Sequence, residues 1–148
     1  MATIQLPSDF KEFLKLLNSH QIEYLLIGGY AVSFHGYPRT TLDIDIWIAI
    51  QRENAEKMVN ALKDFGFEND QLTVDLFMKP NQIVRMGNPP FRIEIMTTIS
   101  GVNFEKCFSE RITEVVDGVK LEIINLEHLK LNKQAAGRYK DLDDLENL

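Results

Sequence analysis

Gly28-Gly29, then thirteen residues, then Asp43-Ile44-Asp45 constrain this chain more than any other stretch. The apolar run Tyr24-Leu25-Leu26-Ile27 leads into the glycine pair, a short helical segment follows, and a strand then carries two carboxylates in alternate positions. Glycine lets the backbone turn sharply and approach a ligand closely. The helix that begins there presents unpaired N–H groups to a phosphate. Two residues apart on a strand, Asp43 and Asp45 share one face with Cα atoms about 6.6 Å apart. Both can then converge on one hard cation, or bridge two. Mg²⁺ takes oxygen ligands and keeps substrate phosphates in its shell, and beside a reacting phosphate it neutralises developing charge. Each half alone has an ordinary explanation, a tight turn or the polar face of an edge strand. Their succession in one short segment points to a metal site that handles phosphate.

The remaining periodicities frame this unit. Phe10, Phe13, Leu14 and Leu17 form one stripe of a first helix, with Ser8 as its expected cap. Residues 22–27 read as a buried strand and 30–35 as a short helix that Gly36 closes in the left-handed conformation. Along the strand 42–50, Ile44, Ile46 and Ile48 point toward helices. Asp43, Asp45 and Trp47 lie on the other, open face. Trp47 is expected to pack beneath a neighbouring helix, with stacking on a base as the alternative. Ala55, Met58, Val59 and Leu62 define another helix, ended by Gly66. Residues 68–80 fit either a strand or a helix. Strands at 82–86 and 91–96 flank the turn Gly87-Asn88-Pro89-Pro90, and 103–111 reads as helix. Strands at 112–116 and 119–124 flank Asp117-Gly118, a strong hairpin signal. Asn125 caps a long helix that runs to Ala136 and stops at Gly137, and 141–148 forms a last short helix. A strand–helix–strand opening followed by hairpins implies an α+β fold with a mixed sheet flanked by helices. At 148 residues the chain suits one domain, 1–148.

The net charge of −6 argues against broad, non-specific nucleic-acid binding but leaves room for a local basic patch. Cys107 is the only cysteine, so no intrachain disulfide forms and a reducing, cytoplasmic setting is expected. Cys107 itself reads as a small core hydrophobe. The first residues lack a basic region followed by an apolar core, so no signal peptide is expected. No apolar run reaches the ~20 residues that span a bilayer, and a membrane partner is not expected. No His–Cys set has zinc spacing. His35, at a helix end, is expected to be structural.

The order Gly28-Gly29-Tyr30-Ala31, His35-Gly36, Arg39-Thr40-Thr41, Asp43-Ile44-Asp45 resembles the nucleotidyltransferase superfamily that shares the DNA polymerase β-like core. It is most similar to small bacterial and archaeal nucleotidyltransferases related to abortive-infection and toxin–antitoxin proteins. The late segments Leu126-Glu127-His128-Leu129, Lys133-Gln134-Ala135-Ala136-Gly137-Arg138 and Lys140-Asp141-Leu142-Asp143-Asp144-Leu145 extend the resemblance to the other end of the chain.

The resemblance implies the nucleotidyltransferase fold and Mg²⁺-dependent transfer of a nucleoside monophosphate from a nucleoside triphosphate to a hydroxyl, with release of pyrophosphate. It implies Asp43 and Asp45 as catalytic metal ligands, in a one- or two-metal site. A third carboxylate is expected on a later central strand. Glu94 is the best placed, since Ile93 and Ile95 face the core; it would serve as metal contact or base for the acceptor hydroxyl. Asp75 is the rival. Gly28, Gly29, Arg39, Thr41 and Lys133 are the expected nucleotide contacts, with Asp141 orienting Lys133 or Arg138. Cations at that helix end also suit the helix dipole. The acidic run Asp141, Asp143, Asp144, Glu146 is expected to be mainly a solvated face. The acceptor is open between a protein, an RNA end and a small molecule, and a protein partner or a homodimer would help build that side. An RNA acceptor would require Arg85, Arg92, Arg138 and Lys140 to gather beside the aspartates. The alternative function is a non-catalytic, antitoxin-like or degenerate binding protein on the same fold.

Overall fold

A computed structural model describes residues 4–38, 41–87 and 90–148. The chain runs α1 (Ser8–Ser19), β1 (Tyr24–Ile27), α2 (Gly28–Phe34), β2 (Asp43–Ile48), α3 (Arg52–Phe65), α4 (Val74–Met78), β3 (Ile83–Met86), β4 (Arg92–Met96), α5 (Phe104–Ser109), β5 (Ile112–Val116), β6 (Val119–Ile123), α6 (Leu126–Ala136) and α7 (Tyr139–Asn147). The strands form one sheet in the order β3-β4-β2-β1-β6-β5. It is mixed: β2 runs parallel to β4 and β1 parallel to β6, while the remaining neighbours are antiparallel. The architecture is the α+β, mixed-sheet fold expected from the sequence.

Strand alternation divides the molecule into two layers. Ile44, Ile46, Ile93 and Ile95 are buried on one face, where α1 and α3 supply Phe10, Phe13, Leu14, Met58 and Leu62. Buried Asn54 fixes α3 to the sheet. Its Oδ1 accepts from Glu23 N at 2.8 Å, and its Nδ2 donates to the Glu23 and Ala49 carbonyls. The opposite face is not simply open. Trp47 is buried there, edge-on to Phe104 of α5 at 5.0 Å, with Nε1 donating to the Thr97 carbonyl. Half of the aspartate face is therefore covered by apolar packing, and only the end of β2 with Asp43 and Asp45 faces a cleft.

Local signals behave as their chemistry dictates, with two differences and one ambiguity resolved. Asn125 caps α6 by accepting from His128 N, and Gly137 ends it at φ +65°. Asp117-Gly118 turns the β5–β6 hairpin with both residues at positive φ. Ser8, in contrast, is the first residue of α1; Pro7 holds the cap position, and no side chain caps it. The ambiguous stretch resolves as a helix because Thr73 accepts from Leu76 N and starts α4. The acidic run on α7 is not mainly solvated: Asp141 and Asp144 are fully buried.

Candidate active site

The cleft opens where β2, β4 and the start of α2 meet the C-terminal end of α6 and the start of α7. It has a volume of about 500 Å³, and Gly28, Gly29, Thr41, Asp43, Asp45, Glu94 and Lys133 all line it. Every expected site residue within the described chain is thus brought to one place. Arg39 lies outside the described residues. The rival Asp75 is exposed on α4, away from the cleft.

The carboxylates converge by strand register. Asp45 of β2 is the parallel partner of Glu94 on β4, so their side chains leave the sheet on the same face. The glycine turn packs directly beneath them. Gly28 has φ +65°, and a Cβ there would lie 2.0 Å from Asp45 Oδ2. Gly28 therefore serves two ends: it makes the tight β1–α2 turn, and it leaves the space in which the Asp45 carboxylate sits.

That position strains the charge of Asp45. Burial first, then the nearby Glu94 and Asp43 carboxylates, push its pKa up to about 7, with Lys133 pulling the other way. Its Oδ1 is buried without a hydrogen-bond partner among the described residues. Glu94 is held on its far side by Arg85 of β3, whose Nε donates to Oε1 at 3.0 Å. Thr41 Oγ1 donates to the Asp43 carbonyl at 3.1 Å and steadies the first carboxylate's backbone.

Among the described residues no three His, Cys, Asp or Glu side chains already form an ion cage. The donor set nonetheless fits a hard divalent cation. Its ligating atoms are all carboxylate oxygens, one of them buried and unsatisfied, and their mutual repulsion is what such a cation relieves.

The cationic wall comes from the C-terminal helices. Lys133 Nζ is buried and lies 3.1 Å from both Asp141 Oδ1 and Asp144 Oδ2. Arg138 Nε donates to Asp141 Oδ2 at 2.8 Å, and that bond raises the Arg138 pKa. Burial pushes the Asp141 carboxyl up, but Arg138 and Lys133 outweigh it and hold it below its ordinary value. The expected orientation of Lys133 by Asp141 is present, with Asp144 as an unforeseen second partner. Arg85, Arg138 and Lys140 reach the cleft; Arg92 does not line it. The segment after β4 closes one side. Asn132 Nδ2 donates to the Ser100 carbonyl at 2.9 Å, and Gly101 fits against Ala135. This brings Thr98, Ile99 and Ser100 to the rim, which no sequence motif announced. His35 is structural: its Nε2 donates to the Ile124 carbonyl at 2.8 Å.

This geometry can be set beside known proteins. Residues 7–148 match the family described as "Nucleotidyl transferase of unknown function (DUF2204)". The chain belongs to that nucleotidyltransferase family. No curated protein matches it significantly in sequence. Solved structures share the fold of this nucleotidyltransferase at low identity. A Thermotoga maritima protein described as a candidate nucleotidyltransferase, TM1012, aligns with TM-score 0.63 and 16% identity over 93% of this chain and 88% of its own. The lincosamide antibiotic adenylyltransferase LnuA, solved with lincomycin bound, gives 0.61 and 18% over 96% and 95%. An antigenic nucleotidyltransferase-like protein from Paracoccidioides brasiliensis gives 0.55 and 18% over 96% and 76%. Kinship to abortive-infection and toxin–antitoxin proteins rests on the motif order alone. No helix among the described residues is long and apolar enough to cross a membrane.

Proposed function

We propose that this nucleotidyltransferase moves a nucleoside monophosphate from a nucleoside triphosphate to a hydroxyl of an acceptor, releasing pyrophosphate. The observation that carries the reading is Asp45: a buried carboxyl with an unsatisfied oxygen, crowded by Asp43 and Glu94 at the floor of a cleft rimmed with cations. A polar wall with no role would not keep three carboxylates together against their repulsion. That convergence supports catalysis over the non-catalytic reading.

Asp43, Asp45 and Glu94 would hold Mg²⁺, which when bound neutralises charge on the triphosphate and aligns it. Gly28 and Gly29 lie at the cleft with no side chain to block a phosphate. Lys133, fixed by two buried carboxylates, supplies a cation whose position does not have to be ordered during the reaction. Thr41 and Arg39 complete the nucleotide contacts. Glu94 takes the acceptor's proton as its oxygen attacks the α-phosphorus and the bond to the β-phosphate breaks. Three of the four basic residues that an RNA acceptor requires, Arg85, Arg138 and Lys140, line the open rim while Arg92 does not, which favours an acceptor with an anionic group over a neutral one without completing an RNA groove. LnuA, with its antibiotic ligand, shares the fold and keeps a small-molecule acceptor as the second reading. A protein partner or a second copy of the chain would complete the acceptor side.

The test incubates purified protein with each α-labelled triphosphate, Mg²⁺ and cell lysate. Label should pass to a discrete acceptor, and Asp43→Ala/Asp45→Ala should abolish it while the protein stays folded. Undiminished transfer by the double variant would falsify the assignment. Thermal unfolding provides a second reading: stabilisation should require triphosphate and Mg²⁺ together.

A further inference from the structure

A second cavity lies on the other side of the sheet, outside the catalytic cleft. Ile93 lines it, and Ile93 alternates with Glu94 along β4, so the two sites open on opposite faces. Its volume is about 180 Å³, below the ~300 Å³ at which drug-sized ligand sites begin. It suits a head group of a few heavy atoms.

Its walls are unusual in kind. Four phenylalanines, Phe10, Phe65, Phe67 and Phe91, line it together with the carboxylate residues Asp9 and Glu12. Phe10 meets Phe91 edge-on, with ring centroids 6.0 Å apart and planes at 81°. Phe65 and Phe67 lie nearly parallel, 5.7 Å apart. Phe10 is fully buried, while Phe91 remains 39% exposed. Asp9 and Glu12 are exposed on the first turns of α1, and neither has an ion pair or side-chain hydrogen bond among the described residues. Asp9 also suits the start of a helix, but Glu12, one turn further in, gains less from that.

Aromatic rings carry negative faces and attract cations, most strongly when the cation is weakly hydrated and several rings surround it. Two unpaired carboxylates at the same rim add long-range attraction and disfavour anions. We propose that this cavity is a binding site for a small organic ammonium, quaternary or alkylated, held against Phe65, Phe67 and Phe91 over the buried Phe10, with its charge toward Asp9 and Glu12. The site is separate from the nucleotide cleft and does not depend on the catalytic assignment.

Choline and its uncharged carbon isostere, dimethylbutanol, are the probes, followed by NMR of ring-labelled phenylalanine. Choline should shift the Phe65, Phe67 and Phe91 resonances and saturate in the low-millimolar range. The isostere should bind about tenfold more weakly, the loss expected when the charge is removed from a partly open aromatic site. Asp9→Asn/Glu12→Gln should weaken choline severalfold, leave the isostere unchanged, and leave triphosphate-dependent stabilisation intact. Phe91→Leu, at a partly exposed ring, should weaken choline while preserving the fold. Equal binding of choline and the isostere would mark a merely apolar hollow and overturn the proposal. So would shifts confined to residues of the nucleotide cleft, or no saturable response to choline.

Discussion

Gly28 and Asp45 occupy each other's space: the side chain that glycine lacks is where the carboxylate stands, so a methyl at Gly28 would meet Asp45 Oδ2 at 2.0 Å. The glycine pair and the Asp-x-Asp strand are thus one structural unit. Antiparallel pairing of β1 and β2 places Ile27 opposite Asp45, and the turn that follows falls beneath the carboxylate.

Replacing Gly28 with alanine should therefore injure the site more than the fold. The left-handed backbone costs an L residue about 1–2 kcal/mol, equivalent to a melting temperature lower by roughly 2–8 °C for a chain of this size. The displaced carboxylate adds a functional loss. Gly28→Ala should fold, melt earlier, and show no added stability with triphosphate and Mg²⁺. A variant that keeps full nucleotide-dependent stabilisation would contradict the contact.

Asp45 should make stability depend on pH in the opposite direction from a salt-bridged aspartate. Its carboxyl is raised from 3.8 to about 7 in the folded chain, so the folded state holds a proton that the unfolded state releases. Folding carries no penalty from this group below pH 4. The penalty grows as pH rises through the interval to 7, and reaches on the order of 4 kcal/mol above it, before any relief by a cation. Asp45→Asn should raise the melting temperature at pH 8 by about 8–16 °C, and the gain should vanish near pH 4. Melting curves at both pH values decide it; an equal gain at both would mean that the carboxyl is not displaced from its ordinary range. The same variant should fail in nucleotidyl transfer, a case of a functional group that destabilises its own fold.

The sequence carried the Asp45 site further than it carried the C-terminal one. Ile44, Ile46 and Ile48 alternate with Asp43, Asp45 and Trp47, so the faces of β2 were readable from period alone, and Ile93 and Ile95 oriented Glu94 in the same way. What alternation does not specify is pairing. That Asp45 and Glu94 are direct neighbours depends on β2 and β4 being parallel in that register. On α7 the usual pattern reverses: Leu142 is 47% exposed while Asp141 and Asp144 are buried. Hydrophobicity marks the wrong face because the inward residues were selected by a cation, Lys133, on another helix. Spacing held a usable sign, since Asp141 and Asp144 are three apart and share one side.

The buried Lys133 triad should behave as a unit. Removing one member of a buried charge group typically costs about 3–5 kcal/mol, because its partners are left without compensation. Lys133→Met removes a 3.1 Å ion pair from each of Asp141 and Asp144, although Arg138 still reaches Asp141. It should lower the denaturation midpoint markedly. Lys133→Met/Asp144→Asn should recover part of that loss, so the two changes together cost less than their sum. Additive losses in urea titrations would show that Lys133 and Asp144 are not coupled.

Arg85 separates assembly of the site from its chemistry. The residue is on the edge strand β3, and its side chain is 60% exposed, so its ion pair with Glu94 contributes little to stability. Its effect is on how the Glu94 carboxylate is held, because the Nε bond fixes Oε1 at 3.0 Å while the Glu94 side chain also bonds to Asp45. Arg85→Ala should shift stability by no more than about 0.5 kcal/mol, as for other surface changes. It should leave triphosphate and Mg²⁺ binding close to wild type, since Asp43, Asp45 and Lys133 are unchanged and Lys133 keeps its ion pairs with Asp141 and Asp144. Transfer should nevertheless slow by about tenfold or more, with the loss in kcat rather than in KM for the triphosphate. Arg85→Lys should restore only part of the rate, because an ammonium lacks the planar donor array that fixes a carboxylate's direction. If Arg85→Ala instead raised the KM for triphosphate at unchanged kcat, Arg85 would belong with the nucleotide contacts and not with Glu94.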